Sequence, residues 1–289
     1  MSAFQIGDVS VTRVEEMYGP GFSPVFLFPD WTPDVLERHR AWMVPNCFDE
    51  ASGKLIASIH TWVVRTTRHT ILIDTCIGNG KPRPGFPRFD MLRTDFLDRL
   101  RAAGVVPETV DYVVCTHLHV DHAGWNTRLV DGHWVPTFPN ARYVFGEAEL
   151  ASAQLEVAGN DFNRGVWSDS VLPVLEAGQA EIVGPGWRLG DVLEVEPAPG
   201  HTPGHVALRL RSGRKEGLFT GDIMHHPIQV YEPHWNSCFC AMPAQARSTR
   251  RRMLECAVER DALMFPSHFA GSHAGRVRDT GGGFRWHFE

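Results

Sequence analysis

The sequence predicts an α/β protein: two βα halves packed sheet to sheet with helices outside, a four-layer αβ/βα sandwich. Three observations predict it. Short apolar, β-branched runs alternate with stretches of helical periodicity along the chain. At 289 residues and 43% hydrophobic composition, the chain can bury a substantial core. Histidines and aspartates fall where apolar runs end, the position at which α/β sheets collect ligands.

The elements follow in order. The opening MSAFQIGDVSVTRVEE lacks the charged-then-apolar pattern of a signal peptide and reads as a first strand over 9–14. Residues 18–33, YGPGFSPVFLFPDWTP, carry too much Pro, Gly and aromatic character for a regular element. Such an apolar loop suits a lid over a site or a patch buried against another subunit. Strands are expected at 55–65 and 70–74, then a helix over 89–103 with Gly104 as its C-cap. The run VDYVVC (110–115) has the pattern of a buried strand. A short strand at 142–145 and a helix over 147–158 precede a polar, Gly-containing break at 160–165. That break divides one continuous domain into halves of roughly 1–165 and 166–289. The second half offers strands at 180–183, 193–197, 206–211 and 217–220, a helix over 244–259 and a last strand at 263–266.

Composition narrows the function. A net charge of -6 leaves no electrostatic footprint for nucleic acid or an anionic membrane surface. The basic run Arg247 to Arg252 leads into helical spacing and reads as a solvated helix face. No apolar run is long enough to span a bilayer. The six cysteines form no paired CxxC pattern and no dense disulfide framework, and Cys238-Phe239-Cys240 reads as structural. A reduced, cytoplasmic protein is expected.

The chemistry-bearing stretch is THLHVDHAGWN, residues 116–126, directly after the buried run. His117 and His119, two apart, lie on the same side of extended chain, Asp121 and His122 follow in the turn, and Gly124 permits a tight backbone. Neutral imidazole and carboxylate together suit divalent transition metals. Three further candidates sit at strand ends: His201 in EPAPGHTPGH, Asp222 in LFTGD and His268 in MFPSH.

In these residues the chain resembles the metallo-β-lactamase superfamily, whose fold is the four-layer sandwich already expected. The resemblance implies a first metal on His117, His119 and His201, and a second on Asp121, His122 and His268, with Asp222 bridging both. Two Zn2+ ions are expected, with Fe or Mn as an alternative at one site. Asp74, in LIDTC, matches an aspartate that supports the ligands, and His205 matches a structural histidine. A metal pair activates water at neutral pH, and Asp121 can orient that water and accept its proton.

The superfamily is broad. Nucleic-acid-processing members carry added domains or basic surfaces, redox members a flavin domain, and glutathione thiolester hydrolases a basic C-terminal region; this chain matches none of them well. Lactonases and methyl parathion hydrolase-like enzymes remain. Three residues beyond the bridging aspartate, many lactonases have tyrosine; this chain has His225, an oxyanion-donor candidate closer to the parathion-hydrolase pattern. His273 is a rim candidate, and Trp125, Trp235 and the Phe22/Phe26/Phe28/Trp31 loop would wall an apolar pocket polar only at the metals. The resulting expectation is a dinuclear zinc hydrolase of neutral esters or lactones with hydrophobic groups, forming a homodimer. Phosphotriesters, β-lactams and thiolesters are alternative substrates, and a non-catalytic metal-binding scaffold is the alternative of a different class.

Overall fold

A computed structural model describes residues 3–155 and 162–289. The first sheet begins with Ala3–Ile6 and Val9–Pro20, followed in space by Lys54–Arg65, Thr70–Ile73, Tyr112–Val114, Arg142–Gly146 and Ala180–Val183. Phe48–Asp49 pairs with Lys54–Arg65 beside this path. From Thr70–Ile73 onward the neighbours run parallel. Parallel strands are covered on both faces and are accordingly apolar throughout. Ile71 and Ile73 face the second sheet, while Leu72 faces the outer helices.

The second sheet orders Arg188–Leu189, Leu193–Pro197, Val206–Ser212, Lys215–Gly221, Leu263–Pro266, Gly275–Asp279 and Phe284–Phe288. Its one parallel pair, Lys215–Gly221 with Leu263–Pro266, is connected through the 17-residue helix Pro243–Glu259. That helix buries Met253, Leu254 and Ala257 against the sheet's outer face. The two sheets close on a shared core in which Val11, Trp62 and Val114 meet Leu208, Phe219 and Phe265. Helix Phe96–Ala102 covers the first sheet's other face with Phe96 and Leu100. This is the expected four-layer αβ/βα sandwich.

Several boundaries differ from the sequence reading. Ala180–Val183 pairs with Arg142–Gly146, so the first sheet continues past residue 165 and the second starts at Arg188. The helix expected over 89–103 is confined to Phe96–Ala102, because residues 91–94 bond back to the segment before them. Met91 N donates to the Lys81 carbonyl (2.9 Å) and Thr94 N to Asn79 Oδ1 (2.7 Å). Gly104, at φ 77°, closes that helix as expected. Residues 18–33 are partly regular: the second strand runs to Pro20, helix Pro24–Leu27 follows, and helix Pro33–Met43 begins at the segment's end. The helix expected over 147–158 spans Glu147–Leu155, and positions 156–158, like 160–161 of the expected break, lie outside the described residues. The C-terminal tail is a hairpin, Gly275–Asp279 with Phe284–Phe288, seated by Trp286 against Phe269 at 4.9 Å between ring centroids.

Trp125 belongs to the core rather than to a pocket wall. Its ring stacks on Phe96 (5.5 Å, 25°), and its Nε1 donates to Glu16 Oε1 at 2.7 Å. Glu16 is turned inward where the register of Val9–Pro20 shifts at a bulge, and its other oxygen accepts from Ile77 N at 2.7 Å. Trp125→Phe keeps the ring but removes the donor, leaving a buried carboxylate short of a partner. Chemical denaturation should show a loss of about 1–3 kcal/mol, with bound metal unchanged.

Candidate metal centre

The centre is built where parallel strands of both sheets end. Thr70–Ile73 delivers Asp74, whose φ of 57° aims its carboxylate sideways at the neighbouring strand end. Asp74 Oδ1 accepts from Thr116 N (2.7 Å), and Oδ2 accepts from Thr116 Oγ1 (2.9 Å) and His122 Nδ1 (2.8 Å). The residues after Tyr112–Val114 are thereby held in a fixed turn. Gly124 closes it: a Cβ there would lie 1.8 Å from the Ile77 carbonyl oxygen, an approach no other residue permits.

Two groups of ligand-type atoms form. His117, His119, His201 and Asp222 bring one atom each within 4.8 Å of one another, and so do Asp121, His122 and His268. Asp222 joins them. Its Oδ2 lies 3.3 Å from His201 Nε2 and 3.7 Å from His117 Nε2, while its Oδ1 lies 2.9 Å from His268 Nε2 and 3.2 Å from His122 Nε2. Asp121 stands at 3.6 Å from His268 and 3.7 Å from His122. All seven residues the sequence nominated as ligands are therefore in one place.

The electrostatics fit a divalent cation. His201 Nε2 approaches His119 Nδ1 at 2.8 Å, and His122 Nε2 approaches His268 Nε2 at 3.2 Å, so ring nitrogens face one another. His117 Nε2 is buried with no hydrogen-bond partner among the described residues. Burial holds His117 and His201 well below the usual imidazole range and pushes His119 down to about 3, leaving neutral ligands. Burial acts the same way on His122 and His268 but is outweighed by the Asp222 and Asp121 carboxylates, joined by Asp74 at His122, so both are raised. Burial would also raise Asp222, yet His122, His268 and His225 hold its carboxyl well below the carboxylate range. Imidazole nitrogens and carboxylate oxygens gathered this closely form a donor set suited to divalent metal.

Outer contacts aim these groups. His268 Nδ1 donates to the Ser58 carbonyl at 3.0 Å. His205 Nε2 accepts from Asp222 N at 3.0 Å, so it positions Asp222 and stands outside both ligand groups. Gly221, at φ 49°, makes that contact fit, since a Cβ would meet His205 Nε2 at 2.6 Å and Thr116 Oγ1 at 2.7 Å. Glu149, which no motif announced, accepts from Leu118 N (2.8 Å) and Thr202 Oγ1 (2.6 Å), tying the His-rich turn to the turn after His201.

A cavity opens over His119, Asp121, Asp222, His225 and His268. Its apolar walls are Phe22, Leu27, Ile59, Phe89, Phe162 and Phe239. Of the aromatics expected there, Phe22 lines the cavity and half-exposed Phe26 packs on it at 5.4 Å. Phe28, Trp31 and Trp235 instead pack on one another behind it, at 6.1 and 5.9 Å from the Trp235 ring. His273 is not on the rim: it is buried, hydrogen-bonded to Arg13 and 5.3 Å from the His60 ring. Nor is the cavity polar only at the metal ligands and His225, because Arg88 also lines it. Arg88, Phe89, Phe162 and Phe239 come from irregular segments, where no periodicity marks an inward side chain.

This sandwich, with its histidine-rich centre between two sheets, defines a class. The Metallo-beta-lactamase superfamily model matches residues 57–268, and the chain belongs to that superfamily. It is 28% identical over 203 residues to a probable metallo-hydrolase of Mycobacterium tuberculosis, covering 63% of this chain and 61% of that protein. An N-acyl homoserine lactonase of Bacillus cereus is 30% identical over 123 residues, 41% of this chain and 40% of the lactonase. The chain thus spans less than two thirds of the length of these curated relatives. In structure it resembles a hydrolase of the beta lactamase superfamily, AbOPH, with TM-score 0.81 at 22% identity, covering 99% and 97% of the two chains. The dizinc quorum-quenching lactonase AidC gives TM-score 0.77 at 20% identity, covering 100% and 97%. These likenesses establish the shared fold.

The geometry separates the ligands' contributions. His122→Ala should leave about one tightly held ion per chain, whereas Asp222→Ala should weaken both. Asp74→Asn, keeping shape but losing charge behind His122, should lower affinity at that site about 10–100-fold in a chelator competition.

Proposed function

We propose that this protein is a metal-dependent hydrolase of an ester or lactone carrying an apolar group. The observation that carries the reading is that two ligand groups meet across one buried carboxylate, Asp222, beneath an aromatic-walled cavity. His117, His119 and His201 would hold one ion, Asp121, His122 and His268 the other, and Asp222 both. Zinc suits this donor set, with Fe or Mn as alternatives at one site. The relatives named as N-acyl homoserine lactonases support a lactone as one substrate type. The net charge of -6 speaks against nucleic acid, and no helix among the described residues is long and apolar enough to cross a membrane. All six cysteines are free thiols, which supports a reducing compartment.

When bound, the metal pair supplies Lewis-acid polarisation and an activated water at neutral pH. The protein's own groups do the rest. Asp121, more exposed than the buried ligands, orients the attacking water and takes its proton. Phe22, Phe89 and Phe239 bind the substrate's apolar part and exclude bulk water, at about 25 cal/mol per Å² of apolar surface covered. His225 stacks on His268 (5.7 Å, 22°) with Nε2 3.2 Å from Asp222 Oδ2. Burial, only partly offset by Asp222, keeps its pKa low and the ring neutral. In this reading His225 donates to the substrate oxygen as that oxygen gains charge.

A bond that strengthens only as charge develops affects turnover more than binding. His225→Ala should therefore lower kcat about 100-fold with a small change in KM, read on a panel of aryl esters and lactones with zinc-loaded protein. Unchanged turnover across the panel would make His225 structural. Absence of all hydrolysis in wild-type protein carrying two ions would remove the hydrolase reading itself.

The segment that walls the cavity also supports a homodimer. Val25 is 65% exposed, Phe26 49% and Tyr18 48%, exposed apolar side chains of the kind subunit contacts cover. Light scattering at micromolar concentration should report twice the chain mass, and Phe26→Glu should shift it to monomer.

A further inference from the structure

Two arginines lie in the segment PRPGFPRFD beside the cavity, and they are held in different ways. Arg83 is held by a carboxylate: its guanidinium grips Asp169 at 2.6 and 2.9 Å and also donates to the Pro82 carbonyl at 2.9 Å. Arg88 has one hydrogen bond among the described residues, NH1 to the Pro20 carbonyl at 3.2 Å, and no described carboxylate lies within 4.0 Å of it. Yet Arg88 lines the cavity with Phe22 and Phe89, facing the same space as Asp121 and His225. Its head lies against the backbone at Gly21, where a Cβ would be 2.8 Å from NH1. The acid that acts on it electrostatically is Asp121, whose charge the metal reading already assigns to a cation. A partly buried guanidinium that spends one hydrogen bond on a backbone carbonyl keeps donors for a ligand's negative charge, and its planar fork matches a carboxylate.

We propose that Arg88 is the substrate's carboxylate-recognising residue, so that the ester or lactone taken by this site bears an anionic group as well as an apolar body. This rests on the hydrolase reading above and narrows its substrate class. Arg88 fixes orientation: with the carboxylate on its fork and the apolar chain on Phe22, Phe89 and Phe239, the scissile carbonyl is presented to the metal ligands' side of the cavity.

The test uses zinc-loaded protein and two matched pairs of probes. The para-nitrophenyl monoester of adipate is compared with para-nitrophenyl hexanoate for hydrolysis. Adipate and suberate are compared with hexanoate and octanoate for equilibrium binding by calorimetry, since each pair shares one carboxylate and only the diacid carries a second. Wild type should favour the anionic member of each pair by about tenfold or more, and Arg88→Met should abolish the preference, weakening the anionic member more than the neutral one. Arg88→Lys should restore part of it, as a point charge without the fork. Equal effects of Arg88→Met on both members, or no anionic preference in wild type, would overturn the proposal. The binding arm reads Arg88 even if neither ester is turned over, so loss of the hydrolase reading and loss of this one give different results.

Discussion

The centre depends on a carboxylate, Asp222, buried to 3% exposure where the two sheets meet. A buried charge is costly unless surrounded by compensating groups, and His122 and His268 supply them, one from each sheet's side, with Nε2 atoms 3.2 and 2.9 Å from Oδ1. Its backbone is fixed as tightly as its side chain, through His205 and the left-handed turn at Gly221. Asp74 performs the matching task across the sheet ends, bonding Thr116 and His122 and lying 3.4 Å from Ser267 Oγ. Neither sheet could shift without breaking these contacts, so the core between them and the site at its edge are one arrangement.

Charge is buried elsewhere for a different purpose. Lys81 and Arg83 both meet Asp169, at 3.3 and 2.6 Å, and the Lys81 ammonium sits 3.8 Å above the Trp134 ring. Lys81 also donates to Thr127 Oγ1 at 2.8 Å, completing a closed set. The set anchors the irregular segment that ends in Arg88 and Phe89 to the turn of helix beginning at Trp167. The wall of the cavity is therefore anchored at its root, which lets Arg88 at its tip face the site with only the Pro20 carbonyl as a partner among the described residues.

Much of this was legible in the sequence, for identifiable reasons. The strands at 180–183, 193–197 and 263–266 carry short apolar runs between turn residues, and the structure has Ala180–Val183, Leu193–Pro197 and Leu263–Pro266. The candidate ligands could be nominated from sequence because His117, His201, Asp222 and His268 follow the apolar runs that end at Val114, Pro197, Gly221 and Pro266. What failed was governed by tertiary bonds that leave no periodic trace. Residues 91–94 have helical spacing but satisfy their backbone against residues 79–83 instead. Trp125 and His273 sit beside motif residues in sequence yet point into Glu16 and Arg13, because their neighbours in space come from the second strand. Ala180–Val183 was assignable as a strand but not to a sheet, since nothing local distinguishes a parallel edge partner.

The same contrast separates the two tasks of the site. Metal-type side chains stand on turns after strands, where the hydrogen-bonded sheet fixes the backbone that carries them. The groups that would meet substrate, Phe22, Arg88, Phe162 and Phe239, stand on irregular segments laid over that frame. Loops on a rigid scaffold can change without disturbing the core, so substrate preference is free to diverge while the ligands stay put. His225 stands between the two sets: its backbone N is held by Gln229 Oε1 at 2.7 Å, close behind Asp222, while its ring reaches the cavity. It is thus positioned by the frame but presented to the cavity, the combination that the proposed oxyanion role requires.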